Sequence, residues 1–182
     1  MSRFMDSFTQ TLPQVRVRFG AGIRHELGAE IEALGARRAL ILSTPPQADL
    51  AQELSDLIGG LSAGVYAGAR MHTPVDVSEQ ATAHARNIGA DCVVAVGGGS
   101  TTGLGKAIAW RTDLPQIVVP TTYAGSEATP ILGQTEGGRK TTLSDRRGRA
   151  PGGPLDPPRG GGGRPAPPRA TARRFRYHRP GS

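Results

Sequence analysis

The chain has 182 residues, including 26 Gly and 15 Pro, and a formal charge of +7. The charge is unevenly spread. Residues 1–145 carry 12 Lys/Arg against 14 Asp/Glu, a net charge of −2, whereas residues 146–182 carry ten Arg against one acid, Asp156, a net charge of +9. That tail also holds 8 Gly and 8 Pro, with Leu155, Phe175 and Tyr177 as its large apolar side chains. It cannot bury enough surface to offset chain entropy and is expected to be disordered. The basicity is therefore no argument for a nucleic-acid-binding domain.

The single cysteine, Cys92, excludes a disulfide framework, and no Cys/His cluster suggests zinc. MSRFMDSFTQ lacks the apolar run of a signal peptide, and no stretch approaches the roughly 18 apolar residues of a membrane span. The expectation is a cytoplasmic protein with neither membrane nor nucleic acid as partner. The body, residues 1–145, suits one α/β domain.

In chain order, Val15–Phe19 alternates apolar and basic residues, as a half-exposed strand does. Ile23, Leu27, Ile31 and Leu34 recur at helical spacing, and Gly35 closes that helix. Ala39–Leu42 is a short continuous apolar run, the pattern of a strand buried on both faces. Ser43-Thr44-Pro45-Pro46 breaks it. Leu50, Leu54, Leu57 and Ile58 mark a second helix, ended by Gly59-Gly60. A short strand is expected at Val65–Ala67 and a loop at Met71–Pro74. Val77, Ala81, Ala85 and Ile88 trace a third helix before Gly89. Cys92–Val96 is another buried strand, which runs into Gly97-Gly98-Gly99-Ser100 and a helix reaching about Trp110. Ile117–Val119 is the last strand before PTTYAGSE, and residues 131–145 read as a hairpin around Gly137-Gly138. Strands alternating with helices predict βαβ units and a parallel, Rossmann-like sheet flanked by helices.

Three loops carry candidate chemistry. In VVAVGGGSTTGLGK, residues 93–106, a buried strand delivers three glycines to a helix start. Without Cβ atoms the backbone can approach a ligand closely. The unpaired N–H groups of the first helical turn then suit a phosphate or diphosphate. Ser100, Thr101 and Thr102 add hydroxyls, and Lys106 follows two turns on. Neither common template fits. A Walker A loop needs Gly where Ser100 stands and Ser or Thr where Ala107 stands, and a GxGxxG begun at Gly97 fails at Thr102. The bland alternative is a glycine turn that only lets helix and strand pack.

The second loop, Pro120–Glu127, follows the next strand and offers Thr121, Thr122, Tyr123 and Ser126. In open α/β sheets ligands bind beyond the carboxyl ends of the strands. Its alternative is a Pro-initiated turn with a capping hydroxyl. The third loop, Ser43–Gln47, is placed for the adenosine end of a nucleotide, or is simply a helix start with Pro near N1. His72 is a loop histidine able to ligate, shuttle a proton or only brace its loop. Cys92 reads as an inert core thiol, and His25 and His84 as surface residues. Trp110 is expected to pack at its helix end.

With these loops in hand, residues 1–145 resemble the N-terminal, nucleotide-binding half of maleylacetate reductases, within the iron-containing alcohol dehydrogenase superfamily. The matching stretches are RVRFGAG (16–22), LSTPPQ (42–47), MHTPV (71–75), GADCVVAVGGGSTTGLGKAIA (89–109), TDLPQIVVPTTYAGSE (112–127) and GGRKTT (137–142). The broader superfamily typically has Asp where Gly103 stands and a GTGSE-like loop where this chain has YAGSE, so Gly103 and Tyr123-Ala124-Gly125 favour the reductase branch over a metal-dependent alcohol dehydrogenase.

The resemblance implies NAD(P)H-dependent reduction of the 2,3 double bond of maleylacetate to 3-oxoadipate, in the breakdown of aromatic compounds. It implies that Gly97, Gly98, Gly99 and Ser100 hold the cofactor diphosphate. Thr121 and Thr122 would lie by the nicotinamide and ribose, and Thr44, Pro45 and Gln47 would border the adenosine side. His72, Tyr123 and Ser126 are weaker substrate candidates. It also implies a homodimer for the intact family member. The family's C-terminal helical domain, which in metal-dependent relatives supplies an Asp and three His for iron or zinc, is not recognisable here, so no metal site is expected in this chain.

The resemblance ends at residue 145. The Arg, Pro, Gly and Ala of the tail are what G/C-rich codons give out of frame, so a frameshift near codon 145 is expected rather than a natural tail. A helical, family-like continuation in one of the other two reading frames is the expected result of sequencing the gene. A chain so interrupted is expected to be poor at catalysis, or to persist only as an inactive nucleotide-binding remnant.

Overall fold

The computed structural model describes residues 7–12, 15–122, 124–129, 131–144 and 173–176, with side chains for 16–122, 124–129 and 131–143. Two strands open the chain, β1 (Ser7–Leu12) and β2 (Val15–Gly20), paired antiparallel. A 3-10 turn, Ile23–Glu26, leads into α1 (Leu27–Ala33), and β3 (Ala39–Leu42) follows. Next come α2 (Ala48–Ile58), β4 (Ser62–Tyr66), α3 (Val75–Asn87), β5 (Cys92–Gly97), α4 (Gly99–Thr112) and β6 (Gln116–Pro120). The hairpin is β7 (Ile131–Glu136) with β8 (Arg139–Ser144). Of the tail, Arg173–Arg176 forms a strand, β9, parallel to both β2 and β6. These four residues are an exception to the structureless tail expected there, and the other residues from 145 to 182 lie outside the described ones. Open edges on β2 and β6 account for the pairing, because backbone donors and acceptors seek partners whatever the side chains.

The main sheet has the order β1-β2-β9-β6-β5-β3-β4. Within it, β6, β5, β3 and β4 are mutually parallel, as the alternation of strands and helices predicts. The apolar runs are buried because helices cover both faces. Ile41, Val94, Val96, Ile117 and Val119 face α1 and α2 through Leu27, Ile31, Ala51 and Leu54. Leu40, Leu42 and Val93 face α3 and α4 through Val77, Ala81, Ala85, Leu104 and Ile108. Adjacent residues pointing to opposite layers is the period-2 geometry of a strand.

Helix ends fall at the glycines expected to stop them: Gly35, Gly59 and Gly89 all take positive φ. Trp110, expected to pack, is 43 % exposed. The second edge pair, β1, was not anticipated: SFTQTL has no sustained alternation. No helix among the described residues is long and apolar enough to cross a membrane.

Cys92 is buried at the start of β5. Burial, with the Asp91 charge adding to it, pushes its thiol far above the ordinary range. The expected outcome with iodoacetamide near pH 8 is no modification of the folded chain and full modification in denaturant. Comparable labelling in both conditions would show that β5 opens freely.

Candidate functional site

The strand order reverses between β3 and β5: β4 lies on one side of β3, and the chain then crosses to β5 on the other. That is a topological switch point, where a crevice opens beyond the carboxyl ends of two strands whose connections run to opposite sides. The loops after β3, β5 and β6 all meet there. Gln47 Nε2 donates to Thr121 Oγ1 at 2.9 Å, and Thr44 Oγ1 donates to Gln47 Oε1 at 3.2 Å. Thr121 N donates to Gly97 O at 3.0 Å. The sequence-predicted residues Thr44, Gln47, Gly97 and Thr121 therefore form one hydrogen-bonded group, although they are as many as 77 residues apart. Pro45 is exposed at the first turn leading to α2.

Gly97 takes φ 140, and a Cβ there would stand 2.5 Å from Gln47 Oε1 and 2.6 Å from Thr101 Oγ1. A Cβ at Gly98 would stand 2.8 Å from Thr122 Oγ1. Close packing of loop against backbone, with the positive φ, thus accounts for glycine at position 97, while at position 98 the methyl would meet only the exposed Thr122 side chain. Helix α4 starts immediately afterwards with no side-chain cap, and its first intrahelical bond is Thr102 N to Gly98 O. The N–H groups of Gly99, Ser100 and Thr101 have no acceptor within the helix, and the positive end of a 14-residue helix lies behind them. Thr101 Oγ1 and Ser43 Oγ are buried and lack a partner among the described residues. Unpaired amides, orphaned hydroxyls and a backbone bare of Cβ atoms fit the diphosphate of a dinucleotide.

On the other side of the α4 N-terminus lies a cavity of about 320 Å³, bounded by the loop before α3, the start of α4 and the β7–β8 hairpin. His72, Gly99, Ser100, Ser126 and Lys140 line it. His72 and Thr73 both take positive φ, at 63 and 47, a conformation rarely held without surrounding constraint. The constraint is visible at Thr73. It is buried, its carbonyl accepts from Thr135 N at 3.4 Å, and its Oγ1 lies 2.3 Å from where a Cβ at Gly103 would be. Gly103 therefore makes room for the loop that presents His72. Tyr123 lies outside the described residues. Thr122 is exposed beside Gly98, and Ser126 begins a short 3-10 turn.

Lys106 does not face the glycine turn. It is 3 % exposed, and its ammonium donates to Ser126 O at 2.5 Å and Ile131 O at 2.8 Å. Ser126 Oγ at 3.3 Å and Thr129 Oγ1 at 3.4 Å accept from it as well. It anchors the loop that frames the cavity. Helical spacing carried the missing signal: position 106 is seven residues after Gly99 and falls on the face toward the next loop, not at the helix tip. Lys140 was likewise not singled out from sequence. Among the described residues no group of three or more His, Cys, Asp or Glu side chains is placed to hold a metal ion.

A crevice at the switch point of a parallel sheet covered by helices on both faces defines the class as a doubly wound, Rossmann-like α/β fold. The family model for iron-containing alcohol dehydrogenases matches residues 13–151, and the chain belongs to that family. It is 59% identical over 139 residues to the maleylacetate reductase of Rhizobium sp. (strain MTP-10005), covering 76% of this chain and 40% of the relative. It is 52% identical over 132 residues to that of Burkholderia cepacia, covering 72% and 38%. The crystal structure of the maleylacetate reductase from Rhizobium sp. strain MTP-10005 superposes with a TM-score of 0.75 at 47% identity, over 96% of this chain and 43% of that one. The chain spans about two fifths of the length of the curated relatives it matches.

Proposed function

We propose that residues 1–145 are the nucleotide-binding part of a maleylacetate reductase, which binds NAD(H) or NADP(H) at the switch-point crevice and serves the reduction of maleylacetate to 3-oxoadipate. The observation that carries this reading is the uncapped start of α4 behind Gly97 and Gly98. Identity of 59% to a maleylacetate reductase supports the substrate.

In this reading the amides of Gly99 and Ser100 hold the diphosphate. Thr44, Pro45 and Gln47 border the adenosine, and Thr121 and Thr122 the ribose and nicotinamide. The Gln47–Thr121 bond fixes the two ends of the crevice relative to each other. When bound, NAD(P)H supplies the hydride. The chain's part is to hold the ring against the acceptor carbon, with His72, Tyr123 and Ser126 toward the substrate. The cofactor reading has a direct test in titration of the full 182-residue chain with NADH and NADPH, followed by nucleotide fluorescence. Saturable binding that inorganic diphosphate displaces is expected. No binding at millimolar nucleotide would overturn the reading. Nucleotide oxidation on adding maleylacetate tests the activity separately.

A further inference from the structure

Strand β9 carries a cation to the carboxyl end of the sheet. Its residues, Arg173-Arg174-Phe175-Arg176, pair with β2 over Arg16, Val17, Arg18 and Phe19 and with β6 at Ile117 and Val118, parallel to both. Carried two residues further, the β6 register sets Arg176 level with Pro120, the last residue of that strand. Pro120 in turn pairs with Gly97. Phe19, Arg176, Pro120 and Gly97 thus form one row across four neighbouring strands, and the row ends at the first glycine of the turn before α4. Two strand spacings, about 10 Å, separate the backbone at 176 from that at 97.

The side of the sheet matters as well as the level. Ile117 faces α1 and α2. Alternation therefore gives the α3–α4 side to position 118, to its partner 174, and to 176 two residues on. Helix α4, with its uncapped amides, covers that side. The chemistry of β9 points the same way. An inner parallel strand is ordinarily apolar, yet three of these four residues are Arg. Main-chain pairing on two sides explains how such a segment is held, but not what meets its charge. The lysine of the glycine string, Lys106, is engaged by the Ser126–Ile131 segment, so it brings no charge to the turn.

We propose that β9 delivers Arg176 to the crevice as a cation for the cofactor diphosphate held at the start of α4; this rests on the nucleotide-site reading above. The planar guanidinium matches phosphate oxygens and adds to the backbone amides a charge that they lack. The tail strand is then a working part of the site, and not only a filler between β2 and β6.

The test titrates the full chain and three full-length variants with NADH by fluorescence, and displaces the nucleotide with inorganic diphosphate. R176Q removes the charge in question. R173Q removes an equal charge at the other end of the same strand. F175P keeps every charge but takes a main-chain donor from a strand paired on both sides, which unseats it. The expected result is that R176Q and F175P each weaken NADH about five- to tenfold, while R173Q stays within about twofold. The difference should shrink in about 0.5 M salt. R176Q within twofold of the unaltered chain would overturn the inference. So would an equal loss in R173Q, which would trace the effect to the overall charge of the tail, or a gain of affinity in R176Q, which would make the tail an obstruction. Unchanged affinity in F175P would show that the strand delivers nothing. In each of these cases the unaltered chain still binds NADH and the nucleotide site stands. If it binds neither NADH nor inorganic diphosphate, both readings fall.

Discussion

Replacing Gly97 by Ala is expected to remove nucleotide binding and to destabilise the fold together. The backbone there takes φ 140, which costs a residue with a Cβ ~1–3 kcal/mol. The new methyl would also stand 2.5 Å from Gln47 Oε1 and 2.6 Å from Thr101 Oγ1. Thr101 is wholly buried and has little room to yield. Gln47 can yield, but in moving it releases Thr121, so the loops after β3 and β6 lose their link. The expected destabilisation is about 2–4 kcal/mol, read from urea unfolding. NADH affinity should fall beyond measurement.

Gly98→Ala separates the two effects. Its φ is −95, which any residue tolerates, and the methyl meets only the exposed hydroxyl of Thr122. Stability should change by less than ~1 kcal/mol, while the methyl obstructs the approach of a diphosphate and weakens NADH by at least tenfold. A Gly97→Ala chain with unaltered unfolding and unaltered NADH affinity would mean that the glycine turn is neither cradle nor grip.

Much of this arrangement could be read from the residues, and the reasons differ by element. Buried parallel strands announce themselves: Ala39–Leu42 and Cys92–Gly97 are continuous apolar runs because both faces are covered. Helices α2 and α3 showed their apolar stripe, and the glycines after them showed where they stop. β1 was hidden because an edge strand on a polar stretch is set by its partner's backbone, which leaves little pattern in its own side chains.

The three glycine- and hydroxyl-rich loops were legible as loops, and strand order brought them to one crevice. Their connections were not legible. Nothing in PPQ or PTT says that Gln47 donates to Thr121, since that bond depends on the β3–β5–β6 register. The same holds for the role of Gly103. Its significance appears only once Thr73, 30 residues earlier, is found packed on it in a left-handed conformation. Lys106 looked like part of the phosphate loop because it closes the GGGSTTGLGK string, yet two helical turns carry it along α4, away from the tip, to the segment between Ser126 and Ile131.

That task makes Lys106→Met the second large effect. Four oxygens converge on the ammonium, and two of them, Ser126 O and Ile131 O, are main-chain carbonyls bracketing the segment that frames the cavity. Methionine matches the length and apolar stem of lysine, so the core of α4 remains filled. What is lost is the charge and the donors, so the Ser126 and Ile131 carbonyls lose the buried ammonium that ties them together. A cost of about 2–4 kcal/mol in urea unfolding follows. Arginine is not expected to rescue it, because a planar guanidinium cannot replace a compact ammonium in a shell this tight. The segment from Ser126 to Ile131 should also come loose before the rest. Hydrogen exchange should accelerate there in K106M while the amides of β5 stay protected. Since Ser126 and Ile131 line the cavity, and Ser126 lies toward the substrate in the proposed reading, the KM for maleylacetate should rise with that loosening, and NADH affinity should change less because α4 holds the diphosphate. Unfolding within 0.5 kcal/mol of the unaltered chain, with unchanged exchange at 126–131, would show that the hairpin and its preceding turn are held by Leu132 and Gln134 without the buried lysine.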